Sequence, residues 1–437
     1  MKKIVGRWIF LGLVVIVISI LFISKDRENI ITGNPDIDCI ISREDIKADR
    51  DDMIKIMEST HPIFLDEVPK AYYDAKAEFL KNTNKKMTLG EFRIEITKYL
   101  SSIDDGHTSI GWVGAEFLDI NWKYIDKKLT LLDKDNKPTK KFVTSINNVN
   151  IEDILKVIDK TFPKENYVDE YMNNSSLSKE KLVLCSAGVD VSEDIVLRVN
   201  DGKNEEEIKV EFINYNKGGN NLSNDIYIND LGNKTVYIRF GFCEDNYYIS
   251  KINTYLRKNL DDIKHVIIDV RDNPGGDSTA FEKILQALNI KAGNFGGITR
   301  VSDIATKFYP DLNSMEYKEF ERYNDVVKNE NIELYVIMNE SSFSSAQWVA
   351  TLVKDGELGT LLGKPSRNRP SSFGNAPSFE LAKTKLMGQI SITKWLRPDA
   401  SKDKEKTIEP DIIVEDWQDP LEKTLKLIES KEDLSNM

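Results

Sequence analysis

The chain has 437 residues, of which 40% are hydrophobic and 30% charged, and carries a formal net charge of −12 at pH 7. That length gives room for about two or three ordinary domains, and the composition excludes a disordered or fibrous protein. A pI near 5.1 argues against an extended nucleic-acid surface, so no nucleic-acid partner is expected.

The cysteines Cys39, Cys185 and Cys243 are too few for a disulfide scaffold and lack metal-ligand spacing. At the N-terminus, Lys2, Lys3 and Arg7 precede the uncharged apolar run Trp8 to Ser24, after which Lys25 and Asp26 restore polarity. The run is long for a signal-peptide core, and no small-residue cleavage site follows it cleanly. The expectation is a transmembrane helix over residues 1–27, basic end inside, that makes the membrane a partner. This places the protein in the cell membrane as a single-pass protein with its catalytic part extracytoplasmic.

After a polar tether, apolar residues recur at helical spacing over Arg43 to Glu58, Val68 to Asn82 and Leu89 to Ile103, which predicts a helical domain over 28–112. It ends in the turn Asp104-Asp105-Gly106-His107-Thr108. A lone histidine is more often a surface or satisfied core residue, and His61 before Pro62 and His265 at a strand entry fit that. His107 differs because a polar, glycine-containing turn is where functional groups are displayed.

Residues 113–230 read as a β-rich middle domain of short alternating strands, with one helix around Ile151 to Asp159. Residues 231–425 change character. VYIRF, HVIIDV and LYVIM are near-continuous apolar strands of the kind buried on both faces of a parallel sheet, and helical patterns separate them. Residues 426–437 read as a polar tail. The predicted fold class is therefore α+β multidomain, with an α/β core that follows a transmembrane helix, a helical domain and the β-rich domain.

Two loops at the C-terminal ends of the apolar strands carry candidate chemistry, where open α/β sheets form their sites. Arg271 to Ser278 contains Gly275 and Gly276, adjacent glycines that can aim backbone N–H groups into a cleft, without the spacing of a nucleotide-binding loop. Asn339 to Gln347 is a serine-rich turn before a helix, and Ser344 is the candidate nucleophile at the helix N-terminus. The bland reading is an N-cap, and no G-x-S-x-G elbow is present.

Together, DGHTSI, VIIDVRDNPGGD, VIMNESSFSSAQWVATLVKDGELGTLLGKP and IEPDIIVE resemble the tail-specific, or C-terminal processing, family of serine peptidases, which includes the tricorn core and the nisin resistance proteins. The resemblance covers Asn233 to about Asp416 plus the DGHT turn, and implies a ClpP/crotonase-like peptidase core. It places the nucleophile on Ser344. It assigns the oxyanion hole to the backbone N–H of Gly276 or Gly275 together with that of Ser345.

Where Ser-Lys members carry their lysine, this chain has Arg369, whose guanidinium stays protonated and cannot accept the serine proton. The tricorn-like and nisin-resistance branches instead resemble this chain in using a histidine of the DGHT turn, which implies His107 as base. Glu409 of IEPD or the neighbouring Glu405 is the candidate orienting acid, with Asp104 and Asp105 as alternatives. A Ser-His dyad without a third member is also consistent.

The function these residues imply is a membrane-anchored extracytoplasmic serine peptidase acting on peptides or polypeptide ends, with no metal or organic cofactor. Because base and nucleophile come from different parts of the chain, closure over the substrate is expected to assemble the site. Two alternatives stand beside it: an inactive peptide-binding protein on the same fold, and a peptidase specialised for resistance to antimicrobial peptides. Nothing in the sequence fixes the oligomeric state.

Overall fold

The computed structural model describes residues 37–111, 116–214, 225–313 and 315–435. Helix α1 spans Arg43–Thr60, and the Ser42 hydroxyl oxygen caps it by accepting from the Asp45 N–H. Helix α2 spans Lys70–Asn82. Helix α3, Leu89–Ser101, opens with a reciprocal capping box between Thr88 and Glu91. Ile46, Met53, Tyr72, Phe79, Phe92 and Tyr99 make their shared core, which is completed by Phe379, Leu381, Leu386 and Ile390 from a hairpin late in the chain. The same hairpin reaches the end of the helical region, because its strand Met387–Gln389 pairs antiparallel with Ser109–Ile110.

The middle of the chain forms an antiparallel sheet in the spatial order Glu205–Val210, Ile195–Asn200, Pro138–Ile146, Lys128–Leu132 and Trp122–Ile125. Where the sequence predicts one helix there are three: α4 (Ile151–Thr161), α5 (Tyr167–Leu177) and α6 (Lys181–Ser186). The Asn- and Ser-rich face of α5 hides its helical period. Side-chain caps set the starts of both extra helices: Asn166 accepts from Val168 and Asp169, and Glu180 accepts from Val183.

The central sheet has the order β1 (Ile226–Gly232), β2 (Thr235–Phe240), β3 (His265–Asp269), β4 (Glu333–Met338), β5 (Gly359–Gly363) and β6 (Ile412–Ile413). Strand β1 is antiparallel to β2, and the remaining pairs are parallel. Alternation along the strands splits the apolar runs between two faces. Val236, Ile238, Val266, Ile268, Leu334 and Val336 pack against α7 (Tyr247–Lys258), α8 (Thr279–Ala287) and α9 (Ser345–Asp355). Tyr237, Ile267, Tyr335 and Ile337 face α10 (Pro420–Ser435), which contributes Ile428 and continues through residues expected to form a polar tail.

The fold class is corrected in one respect: among the described residues, no helix is long and apolar enough to cross a membrane. The longest, α1, has 18 residues but alternates charged groups such as Lys47, Asp51 and Lys55 with its apolar ones, and their desolvation would be prohibitive in hydrocarbon. The expected anchor, residues 1–27, lies outside the described residues. The single-pass location, the membrane partner and the anchored form of the function therefore have no support from the fold, which is α+β multidomain with an α/β core.

Candidate active site

The loops after β3 and β4 meet at the N-terminus of α9. Ser344 takes φ +55 and ψ −122, a strained conformation for a residue with a side chain. Its carbonyl accepts from Trp348 N–H at 3.0 Å, yet its hydroxyl makes no capping bond. This is the sharp strand-to-helix turn that a nucleophile elbow uses, built without that motif's glycines.

The glycine that permits it comes from the neighbouring loop. A Cβ on Gly275 would lie 2.6 Å from Ser344 Cβ and 2.9 Å from the Phe343 carbonyl oxygen, and Gly275 sits at φ +101. Its own N–H is spent on the Asn273 side chain at 2.8 Å. Gly276, at φ +128, differs: the Gly275 carbonyl accepts from Cys243 N–H at 3.0 Å, so the planar trans peptide turns the Gly276 N–H away from Cys243. The first helical residue, Ser345, also has an N–H with no intrahelical partner, while its hydroxyl donates to the Gly276 carbonyl at 2.6 Å. These two amides are the candidate oxyanion donors.

The DGHT turn lies against this junction. The His107 ring packs on Phe343, the residue preceding the candidate nucleophile, with centroids 4.6 Å apart. Both ring nitrogens are buried without a hydrogen-bond partner among the described residues. Burial pushes the imidazole below its ordinary pKa, against the upward pull of Asp105.

Asp105 is the keystone of the turn. Its carboxylate accepts from His107 N–H at 2.9 Å, from the Thr108 hydroxyl at 2.5 Å and from His61 Nε2 at 3.1 Å. His61 Nδ1 accepts from Ile63 N–H at 3.1 Å, which fixes the tautomer that donates to Asp105. Burial works to raise the Asp105 pKa, but the bond and charge of His61, with His107 and Thr108, hold it well below the usual carboxylate range. Ser391 N–H donates to the Thr108 hydroxyl at 3.0 Å, and Gly111 N–H to the Met387 carbonyl at 2.6 Å. The turn is thus stitched to the late hairpin, and any separation of His107 from the sheet would have to break those bonds.

A third carboxylate that sequence reasoning did not single out closes the site. Glu165, in the connection between α4 and α5, is 2% exposed. Burial raises its pKa to about 7, with the charge of Asp105 adding, against amide donors from Arg369 and Gly106 and the Asn368 side chain. Ligand-type atoms of Asp105, His107 and Glu165 lie within 4.8 Å of one another, the one such cluster among the described residues. The carboxylate oxygens already accept hydrogen bonds from six donor groups, which leaves few lone pairs for a cation and suits a proton-sharing cluster better.

The other sequence-named residues fall elsewhere. Glu405 is exposed and pairs with Arg397 at 2.8 Å, and that guanidinium also grips buried Asp355 of the VKDG segment. Glu409 is exposed and accepts from the Tyr167 hydroxyl at 2.9 Å. Asp104 is exposed and receives the Arg369 guanidinium on its carbonyl at 3.2 Å. Arg369 is a strap here: its Nε donates to the Glu165 carbonyl at 2.6 Å and its backbone N–H to the Glu165 carboxylate at 2.7 Å.

Residues 234–414 match the family model described as peptidase family S41. A crystal structure of a CPAF point mutant superposes with a TM-score of 0.59 at 11% identity, covering 85% of this chain and 93% of that one. Mature CPAF gives a TM-score of 0.57 at 10% identity with the same coverage of the two chains. At those identities the likeness establishes a shared fold. No curated protein sequence matches the chain. The S41 domain on this fold defines a serine-type peptidase of the C-terminal processing class. Residues 234–414 thus carry a domain of peptidase family S41, the tail-specific family of serine peptidases that the sequence motifs resemble.

Proposed function

We propose that the chain hydrolyses peptide bonds in peptides or polypeptide ends, with Ser344 as nucleophile and His107 as general base. Ser344 Oγ attacks the scissile carbonyl carbon while His107 takes the hydroxyl proton and passes it to the leaving amine. The negative charge on the carbonyl oxygen falls to the N–H groups of Gly276 and Ser345, where the N-terminal end of α9 adds its positive dipole. Water then attacks the acyl-enzyme with His107 again as base. Two of the sequence-named amides keep this role, while the Gly275 N–H is bound by Asn273 and serves to shape the loop.

The observation that carries the reading is the state of Ser344: a strained residue at a helix N-terminus whose hydroxyl does not cap the helix, beside a buried histidine whose ring nitrogens are uncommitted. A fluorophosphonate probe tests it, because only an activated serine reacts quickly. Wild type should label and cleave peptides, and Ser344→Ala should do neither, with a loss on the order of 10⁶ in kcat. Labelling that survives in Ser344→Ala would refute the nucleophile. A wild-type protein that binds peptide but neither labels nor cleaves would make the chain a peptide-binding protein on this fold.

A further inference from the structure

Glu165 is contributed by the middle of the chain, far in sequence from both His107 and Ser344, yet its carboxylate touches the supports of each. Oε1 accepts from Gly106 N–H at 2.8 Å, next to the base. Oε2 accepts from the Asn368 side chain at 2.8 Å, and Asn368 Oδ1 in turn accepts from Ser344 N–H at 2.9 Å. Asn368 is fully buried, so in this route of three hydrogen bonds from the histidine turn to the nucleophile the central Glu165–Asn368 bond is shielded from water.

The surrounding charges leave the Glu165 carboxylate without a cation of its own. On the histidine turn, Asp105 is committed to His61, Thr108 and its own loop, and Asp104 faces solvent. From the loop after β5, the Arg369 guanidinium reaches the main-chain oxygen of Glu165, and Arg367 pairs with Asp169 of α5 at 2.6 Å. The one ring that becomes cationic in the reaction, His107, lies inside the cluster with both nitrogens open.

We propose that Glu165 is the positioning residue of this peptidase: it holds the histidine turn and the nucleophile loop in register, and its charge offsets the imidazolium formed when His107 takes the serine proton. This rests on the reading of His107 as base. The raised pKa of Glu165 places its own ionisation in the pH range where the base works.

The test compares Glu165→Gln and Glu165→Asp with wild type, by kcat/KM for a peptide substrate from pH 5 to 9 and by fluorophosphonate labelling over the same range. An amide accepts hydrogen bonds at only one end, so Glu165→Gln cannot satisfy the donors on both sides, and the rate should fall about 100-fold. Glu165 itself protonates as pH falls through about 7 and its charge is then gone, so the wild-type rate should fall with that ionisation; Glu165→Gln lacks it, and its acidic limb should move to lower pH, toward the lowered pKa of His107. Glu165→Asp keeps the charge on a shorter arm. It should lose about tenfold in rate, with the acidic limb close to that of wild type.

An acidic limb in Glu165→Gln that coincides with wild type would overturn the electrostatic role. A wild-type rate in Glu165→Asp would overturn the link, and that variant keeps the proposal testable if Glu165→Gln does not fold. Failure of the underlying site reading is separately visible: Ser344→Ala or His107→Ala would then stay active whatever Glu165 does.

Discussion

The tightest constraint on the site is the approach of Gly275 to Ser344, and Gly275→Ala tests it. The new methyl would meet Ser344 Cβ at 2.6 Å, the Phe343 carbonyl oxygen at 2.9 Å and Ser345 N at 3.0 Å. None of these is the end of a flexible side chain, so the loop or the start of α9 must shift. A φ of +101 adds backbone strain of about 1–3 kcal/mol, and overpacking a further 1–3 kcal/mol or so. A shift there moves the Gly276 and Ser345 amides away from the developing oxyanion, where loss of one donor costs about 10²–10³ in rate. Gly188→Ala is the control: Gly188 has φ +84 with nothing within 4 Å, so it carries the strain without the collision. Labelling rates per folded molecule, with the folded fraction taken from a urea melt, should fall by about 10²-fold or more in Gly275→Ala and stay near wild type in Gly188→Ala. A Gly275→Ala protein that labels within about twofold of wild type would refute the assignment of this junction as the oxyanion site.

His107→Ala should lose about 10²–10⁴ in kcat/KM, the range of a lost general base, whereas Arg369→Ala should keep the chemistry and cost about 1–2 kcal/mol of stability through its bonds to Glu165 and Asp104. Near-normal turnover in His107→Ala would reverse that assignment. The pKa of Glu165, about 7 in the fold and near 4.5 unfolded, means the folded state holds the extra proton; its stabilisation is complete below about pH 4.5 and is lost as pH rises through 7. His107 and Asp105, both lowered, act in the opposite direction at their own pH ranges. Between pH 5 and 7 wild type should therefore lose about 2 kcal/mol more than Glu165→Gln in urea unfolding, and parallel curves would show that Glu165 does not ionise in this window. Cys39 and Cys185 are exposed, while Cys243 is buried with its thiol pushed up to about 12, so a maleimide should modify the first two in the native protein and Cys243 only after unfolding.

What was legible in the sequence was local. HVIID and LYVIM announce themselves because both faces of each strand are buried, and the turn before α9 because a strand, small residues and a helix follow within one short stretch. The bland N-cap reading of Ser344 could be rejected only with its backbone angles and its unused hydroxyl in view. Glu165 was invisible for a different reason. It lies in the charged run Pro163 to Asn166, which reads as a solvated loop, and its burial comes from Asn368 and Arg369, more than 200 residues away. Asn166 caps α5, and its bond to the Ser366 carbonyl, which docks the middle of the chain on the loop carrying Asn368 and Arg369, is purely tertiary. Glu405 and Glu409 attracted notice by lying beside a motif, and proximity in sequence did not bring them to the base.

The pairing of Ser109–Ile110 with Met387–Gln389 also has a meaning in time. A chain grows from its N-terminus, so the histidine turn is made early, but the strand that seats it and the Ser391 amide that grips Thr108 come near residue 391 of 437. Until that hairpin has emerged, the turn carrying His107 lacks the strand and the amide that pin it on that side. A fragment cut short before the hairpin would carry the histidine turn and the Ser344 junction yet lack the strand and the amide that join that turn to the rest of the fold.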